Sequence, residues 1–184
     1  TAEAFACDVG DPASVEALLA HLREKGVHVD VLVNNAGITW AAPPEQMPIE
    51  RWYQVMQVNV TGAFLLARAL APSMRERGYG RVVNVASVAG LMGTPAEVMD
   101  AVGYSTSKAA LIGLTRDLAV KWARQGITVN AIAPGFFHTR MSEALLKANE
   151  DRIVAATPLG RIGAEGELKG VVALWALKKR ISAS

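Results

Sequence analysis

Tyr104 and Lys108 are the residue pair in this sequence whose types and spacing best suit proton transfer. They lie four positions apart, so on a helix their side chains share one face and come within reach of each other. A phenol has a pKa of about 10 in water, and a fixed ammonium within about 4 to 6 Å lowers that pKa by about 1 to 3 units. The pair would make Tyr104 a proton donor and acceptor near neutral pH. The same spacing is common on solvated helix faces, so the pair alone does not identify a functional site and other residues are needed.

The elements that must position this pair follow from the apolar pattern. Short apolar or β-branched runs predict strands over 2–9, 29–33, 82–86 and 127–133. Apolar residues at helical spacing predict helices over 11–26, 49 to about 77 and 104 to about 124, with two helical pieces from 149 onward separated by 158–163. Strands that alternate with helices in this way predict an α/β fold, a Rossmann-like, doubly wound parallel sheet with helices on both faces.

In such a sheet, ligands bind in the loops at the carboxyl ends of the strands. Those loops contain Asp8, the run Asn34-Asn35-Ala36-Gly37, Ser87 and the pair Pro134-Gly135. The helix that follows the third loop begins with Tyr104. Within the long helix stands Asn59, and asparagine is a poor residue in mid-helix because its side chain competes for backbone groups. The sequence therefore predicts one sheet edge that collects the candidate functional residues.

Composition narrows the class of protein. The 184 residues suffice for one domain with one core, and we expect a single domain over 1–184. The longest uncharged stretch, 82–96, is too short and too rich in glycine and proline to span a bilayer. A net charge of +2 without a long basic run disfavours nucleic acid as a partner, and the single cysteine favours the cytoplasm. No metal site is expected.

Taken in order, these motifs resemble the short-chain dehydrogenase/reductase family, and the resemblance extends from Phe5 to about Leu174. It implies that Tyr104 exchanges a proton with the substrate oxygen. It further implies that Lys108 lowers the pKa of that tyrosine and holds the nicotinamide ribose, and that Ser87 bonds the reacting carbonyl. Asn59 matches the family asparagine that holds a water linking the lysine to solvent.

The resemblance also implies NAD or NADP as cofactor. It assigns Asp8 and Val9 to the adenine. It places Asn35, Ala36 and Gly37 along the adenosine ribose and phosphates. Around the nicotinamide, besides Tyr104 and Lys108, it places Pro134, Gly135, Phe137 and Thr139. Glycine suits positions where the backbone must approach a ligand closely.

The sequence departs from the family pattern at both ends. No strand, glycine-rich turn and phosphate-binding helix precede Asp8, so we expect the first two strand-helix units of the family fold to be missing and the sequence to be a fragment. After Leu174 the run Trp175 to Arg180 replaces the expected turn and final strand, so an altered terminus without that strand is expected.

The substrate side suggests a branch of the family. Sixteen residues separate Ser87 from Tyr104, more than in most of the family, and this stretch with 133–139 is similar to the gluconate 5-dehydrogenase-like branch. That similarity implies a sugar acid or polyol as substrate. Arg140 could meet a carboxylate of that substrate, because its planar guanidinium matches one, although a solvated surface arginine is the simpler interpretation.

Two alternatives stay open. A 3-oxoacyl-[acyl-carrier-protein] reductase shares every catalytic residue, but its two basic docking residues match Gly78 and Gln125 here, with Arg77 and Arg124 adjacent. An inactive scaffold with the same fold is the alternative from another class. By resemblance, the helix over 49–77 and the helix that begins at Tyr104 pair with their copies, so a homodimer or homotetramer is expected.

Overall fold

A computed structural model of the protein describes residues 2–176. Six α-helices are found in this range: α1 Pro12–Glu24, α2 Ile49–Met56, α3 Ala63–Glu76, α4 Val102–Trp122, α5 Glu143–Ala156 and α6 Lys169–Ala176. Three strands alternate with them: β1 Val31–Asn34, β2 Gly80–Val85 and β3 Ile127–Ile132. Short 3-10 turns cover Pro44–Gln46, Val88–Gly90 and Ala123–Gln125.

The strands form one parallel sheet in the order β1-β2-β3. Val33 pairs with Val83, and Val83 pairs with Asn130. This register brings the carboxyl ends of all three strands to one edge of the sheet, where their loops meet. The predicted parallel α/β fold is thus confirmed in the described residues.

One apolar cluster joins the sheet to the two central helices. It consists of buried residues from α3, α4, β2 and β3: Ala67, Ala71, Met74, Val82, Leu118, Ile127 and Val129. On the outer side of α3, Leu65 packs with Val15 and Leu19 of α1. Fully burying a side chain of valine, leucine or methionine contributes about 1.5 to 3 kcal/mol, so these contacts hold α3 and α4 firmly on the sheet.

The segment that leads into α1 differs from the prediction. Asp11 caps the helix, because its carboxylate accepts hydrogen bonds from the backbone N–H groups of Ala13 and Ser14. Gly26 follows the helix with a φ of 62°, a conformation that suits glycine. The apolar run over 2–9, however, is not a strand. Apolar composition alone does not make a strand, and this run pairs with none of the three strands described.

The long helix predicted from Ile49 is continuous but not regular. The π-helical turn Gln57–Gly62 separates α2 from α3 and contains Asn59. By length and composition Ile49–Glu76 could cross a membrane, with a mean hydropathy of 1.2 over its most apolar window. Of that window 44% is buried inside the fold, and core helices of soluble proteins can have the same length and composition. A single helix of this kind is weak evidence for a membrane span.

Beyond β3, the helical tail begins earlier than predicted. The helix α5 starts at Glu143 rather than near Asn149, because periodicity alone locates helix ends poorly. The predicted break over 158–163 separates α5 from α6. The expectation that the final strand is absent concerns residues 177–184, which lie outside the described residues.

Candidate active site

Asn59 joins three elements beneath the edge of the sheet. Its side chain is 1% exposed. The amide oxygen accepts a bond of 2.8 Å from the Ile38 N–H, and the amide nitrogen donates to Ile38 O at 2.9 Å and to Ser107 Oγ at 2.9 Å. A π-helical turn widens the helix locally and is frequent at functional sites. Asn59 therefore fixes the loop after β1 against both the long helix and α4.

Ser107 extends this network into α4. It is fully buried, and its hydroxyl donates to the backbone carbonyl of Tyr104 at 2.7 Å while accepting from Asn59. Sequence reasoning did not select Ser107, although it lies between the two residues of the pair. Its position directly before Lys108 was the signal in the sequence that could have identified it.

The Lys108 ammonium is buried at the end of β2. It donates to the Val85 backbone carbonyl at 2.7 Å, and the side chain is 4% exposed. Burial disfavours the charged form and lowers the pKa of Lys108 to about 8. A Cβ added at Gly37 would stand 3.4 Å from Lys108 Nζ, so the loop after β1 passes close to the ammonium.

Tyr104 faces Lys108 as the spacing predicted, but its pKa moves in the opposite direction. The ammonium lies 5.5 Å from the centroid of the phenol ring. Burial raises the pKa of Tyr104 above 10.0, and a hydrogen bond to the side chain of Ser87 opposes the rise only in part. The expected lowering of the Tyr104 pKa is wrong for this arrangement, because burial of the phenol outweighs the opposing effect.

Ser87 begins a short turn that packs against α4. Its side chain accepts from the Ala89 N–H at 3.2 Å, and the next residue, Val88, donates its N–H to Pro134 O at 3.0 Å. A Cβ added at Gly90 would stand 2.6 Å from the backbone carbon of Lys108. Only glycine lets this turn approach the helix so closely, which keeps Ser87 near the Tyr104 phenol.

On the other side of Asn59, the loop after β1 borders a small cavity of about 60 Å³. Val9, Asn35 and Ala36, three of the residues predicted to bind the cofactor, line it together. Asp8 lies next to Val9, and its carboxylate accepts from the Gly10 N–H at 2.9 Å. The buried Asn34 also lines the cavity, and its Oδ1 has no hydrogen-bond partner among residues 2–176.

The loop after β3 carries the remaining predicted cofactor residues. Within the described chain, no atom beyond its two neighbours lies within 4 Å of a Cβ added at Gly135. Phe137 packs on Gly163. The Thr139 N–H donates to Ser142 Oγ at 3.0 Å, and that hydroxyl donates to Phe137 O. Ser142, which sequence reasoning missed, thus folds this loop, and Arg140 is exposed within the turn.

A second buried polar chain supports the sheet edge. Asn34 Nδ2 donates to Asn84 Oδ1 at 2.8 Å, and Asn84 Nδ2 donates to Thr115 Oγ1 at 2.8 Å. These groups tie β1, β2 and α4 together. Sequence reasoning assigned Asn34 only to a loop motif and missed the other two, because their pairing depends on strand register.

The described residues fit part of a nicotinamide dinucleotide. The loop at Gly37 passes close to the Lys108 ammonium, an unpaired acceptor borders the cavity at Asn34, and Gly135 is uncovered. No group of three or more His, Cys, Asp or Glu within 2–176 could hold a metal ion.

Comparison with known proteins agrees with this geometry. The family model described as short chain dehydrogenase matches residues 1–150. The 3-oxoacyl-[acyl-carrier-protein] reductase of Escherichia coli strain K12 is 38% identical over 169 residues, which make up 92% of this chain and 68% of the relative. The acetoacetyl-CoA reductase of Rhizobium meliloti is 45% identical over 141 residues, 76% of this chain and 57% of the relative.

Solved structures give a similar result. A protein described as a gluconate dehydrogenase from Agrobacterium tumefaciens superposes with a TM-score of 0.89 at 36% identity, covering 94% of this chain and 68% of that one. A gluconate 5-dehydrogenase from Burkholderia cenocepacia, in complex with NADP and tartrate, has a TM-score of 0.85 at 35% identity, covering 91% and 65%. An NAD⁺-bound xylitol dehydrogenase has a TM-score of 0.85 at 33% identity, covering 95% and 72%.

The chain therefore belongs to the short-chain dehydrogenase family. It is an oxidoreductase that acts on CH–OH or keto groups with NAD or NADP.

Proposed function

We propose that the protein moves hydride between NAD(P) and a secondary alcohol or ketone of a sugar acid or polyol. The likeness to the Agrobacterium tumefaciens protein described as a gluconate dehydrogenase, at a TM-score of 0.89, carries this proposal. The 16 residues between Ser87 and Tyr104 support it from the sequence.

In this proposal Tyr104 is the acid and base, Ser87 bonds the substrate oxygen, and Lys108 and Asn59 complete the catalytic set. The raised pKa of Tyr104 keeps the phenol protonated at neutral pH, as a donor to the oxygen of a ketone must be. When bound, the nicotinamide supplies or accepts the hydride. Asn59 keeps α4 in place through Ser107, so that the phenol lies beside Ser87.

The cofactor would be held by residues on both sides of this set. We assign the adenosine half to the cavity side: Asp8, Val9, Asn35, Ala36 and Gly37. We assign the nicotinamide half to Tyr104, Lys108 and the loop after β3, which contributes Pro134, Gly135, Phe137 and Thr139. The Val88-to-Pro134 hydrogen bond supports this division, because it places that loop next to Ser87.

A 3-oxoacyl-[acyl-carrier-protein] reductase is the second candidate, favoured by the Escherichia coli relative. Docking of an acidic carrier requires free basic side chains. Arg77 instead donates to the Val29 carbonyl at 2.8 Å and lies 3.4 Å from the Asp30 carboxylate, which argues against such a role for it.

Assays of the complete gene product distinguish the two. We expect NAD(P)-linked turnover of gluconate or a related sugar acid, with much slower turnover of an acetoacetyl thioester. Turnover of the thioester alone would contradict the proposal and favour the reductase.

An inactive scaffold is the third candidate. The presence of the full candidate catalytic set, Asn59, Ser87, Tyr104 and Lys108, argues against it. We expect NAD or NADP at about 100 times its Kd to stabilise the folded protein by about 2.7 kcal/mol, which thermal unfolding measures. No shift with either cofactor would favour the scaffold.

We also propose that residues 1–184 form one domain and that the protein assembles as a homodimer or homotetramer. Apolar side chains on the outer faces of the long helices support the assembly: Phe64 is 37% exposed and Val120 is 81% exposed. Sedimentation of the complete gene product as a monomer at micromolar concentration would contradict it.

A further inference from the structure

The first turn of α4 carries Tyr104 but has little local support. Val102 and Gly103 precede Tyr104, and the N-cap residue Ala101 makes no side-chain capping bond. The first turn contains no acidic residue. Because the first N–H groups of a helix lack partners within it, an uncapped turn that includes glycine is prone to fray.

Support comes instead from the segment between β1 and α2. The Ala42 N–H donates to Asp100 O at 2.9 Å, and Ala42 forms a parallel bridge with Ala101. The segment contains Pro43, Pro44 and Pro48, and each proline ring restricts the backbone. It is a stiff strap across the start of α4.

Met47 is the side chain that this strap presents to the helix. A Cβ added at Gly103 would stand 2.6 Å from Met47 Cε and 3.3 Å from Met47 Sδ. The ring of Trp52 would lie 3.6 Å from the same added Cβ. Gly103 is buried, so the thioether fills the space directly against the backbone of the first turn.

We propose that Met47 is a positioning residue for Tyr104: by packing on Gly103 it holds the uncapped first turn of α4, and thereby the phenol, in place beside Ser87. The inference rests on the proposed role of Tyr104 in catalysis. Lys108 needs no such support, because it lies one turn further along and bonds to Val85.

Hydrogen exchange tests the structural half on the complete gene product. The Ser105 N–H bonds to Ala101 O and reports on the first turn. We expect Met47→Ala to speed exchange of the Ser105 amide about tenfold, the effect of a local opening free energy reduced by about 1.4 kcal/mol. Amides of residues 111–118 should keep their rates. Unchanged exchange at Ser105 would overturn the inference.

Kinetics test the functional half. Met47→Ala should lower kcat by on the order of tenfold to a hundredfold, because a misplacement of about 1 Å can cost about a hundredfold. KM for the cofactor should change much less than kcat, because Lys108 and the other assigned cofactor residues keep their positions, and Met47→Leu should restore kcat. The pH profile should also move: water reaching the loosened phenol lowers the pKa that burial raises. An unaltered kcat and pH profile would overturn the inference.

A second substitution separates positioning from general stability. In the Met47→Ala protein, Gly103→Ala places a methyl group in the vacated space and should recover part of the kcat. Gly113→Ala is the matched control, since it lies in the same helix with no described atom outside its own helix within 4 Å. Equal recovery by both would overturn the inference. Full activity of Tyr104→Phe would instead defeat the proposed function, while exchange at Ser105 still reports on Met47 separately.

Discussion

The two sides of the active-site edge differ in how completely the protein bonds its own polar groups. On the proton-transfer side, Asn59, Ser107 and Lys108 each bond to other groups of the chain. On the cofactor side, Asn34 Oδ1 is buried without a partner among the described residues, and Gly135 has open space around it. The first side is organised by the fold itself, whereas the second leaves room for a ligand.

On the proton-transfer side, we expect the largest effect on kcat from removing the phenol oxygen. Tyr104→Phe should lower kcat by about 10² to 10⁴-fold, the usual contribution of a general acid or base. Tyr53→Phe is the matched control, because Tyr53 is 64% exposed on α2. Steady-state kinetics measure both, and a loss below tenfold for Tyr104→Phe would show that another group moves the proton.

Close packing of the Ser87 turn provides the next test. Gly90→Ala should lower kcat by on the order of 10²-fold, because the new methyl meets the backbone of α4 and displaces Ser87. Gly93→Ala has no described atom within 4 Å and should leave kcat unchanged. If both variants behave alike, the turn does not depend on this approach.

Stability should respond to the buried charge of Lys108. Its pKa is about 8 in the folded protein and 10.5 when unperturbed. Between these pH values the folded chain binds fewer protons than the unfolded chain, so the free energy of unfolding rises with pH. Lys108→Met should therefore stabilise the protein by on the order of 2 kcal/mol below pH 8, while abolishing activity.

That gain should disappear as the pH approaches 10.5. Denaturant unfolding at pH 7 and pH 10 measures the difference, with the exposed Lys147→Met as control. A gain that is independent of pH would mean that the ammonium is not the cause.

The smallest effect on stability belongs to the cofactor side. Gly135→Ala should leave the free energy of unfolding within about 0.5 kcal/mol, because no packed atom meets the added methyl. Affinity for NAD(P), measured by calorimetry, should nevertheless fall. An unchanged affinity would remove Gly135 from the cofactor residues.

Much of the fold was predictable because periodicity reports burial directly. The three strands and the helices over 11–26, 49–77 and 104–124 appear close to their predicted ranges. The run over 2–9 was predicted wrongly as a strand, since its composition says nothing about a partner. Ser107, Asn84, Thr115 and Ser142 were missed, because their hydrogen bonds join residues that only the folded chain brings together.

The sequence by itself determined the parallel α/β fold and the order of Asn59, Ser87, Tyr104 and Lys108 along one sheet edge. Local residue types and spacing suffice for that, since each motif is contained in one loop or one helix turn. Only the tertiary structure decided the direction of the Tyr104 pKa, the partner of Lys108 and the support of the first turn by Met47. These depend on burial and on contacts between distant segments, which spacing along the chain does not encode.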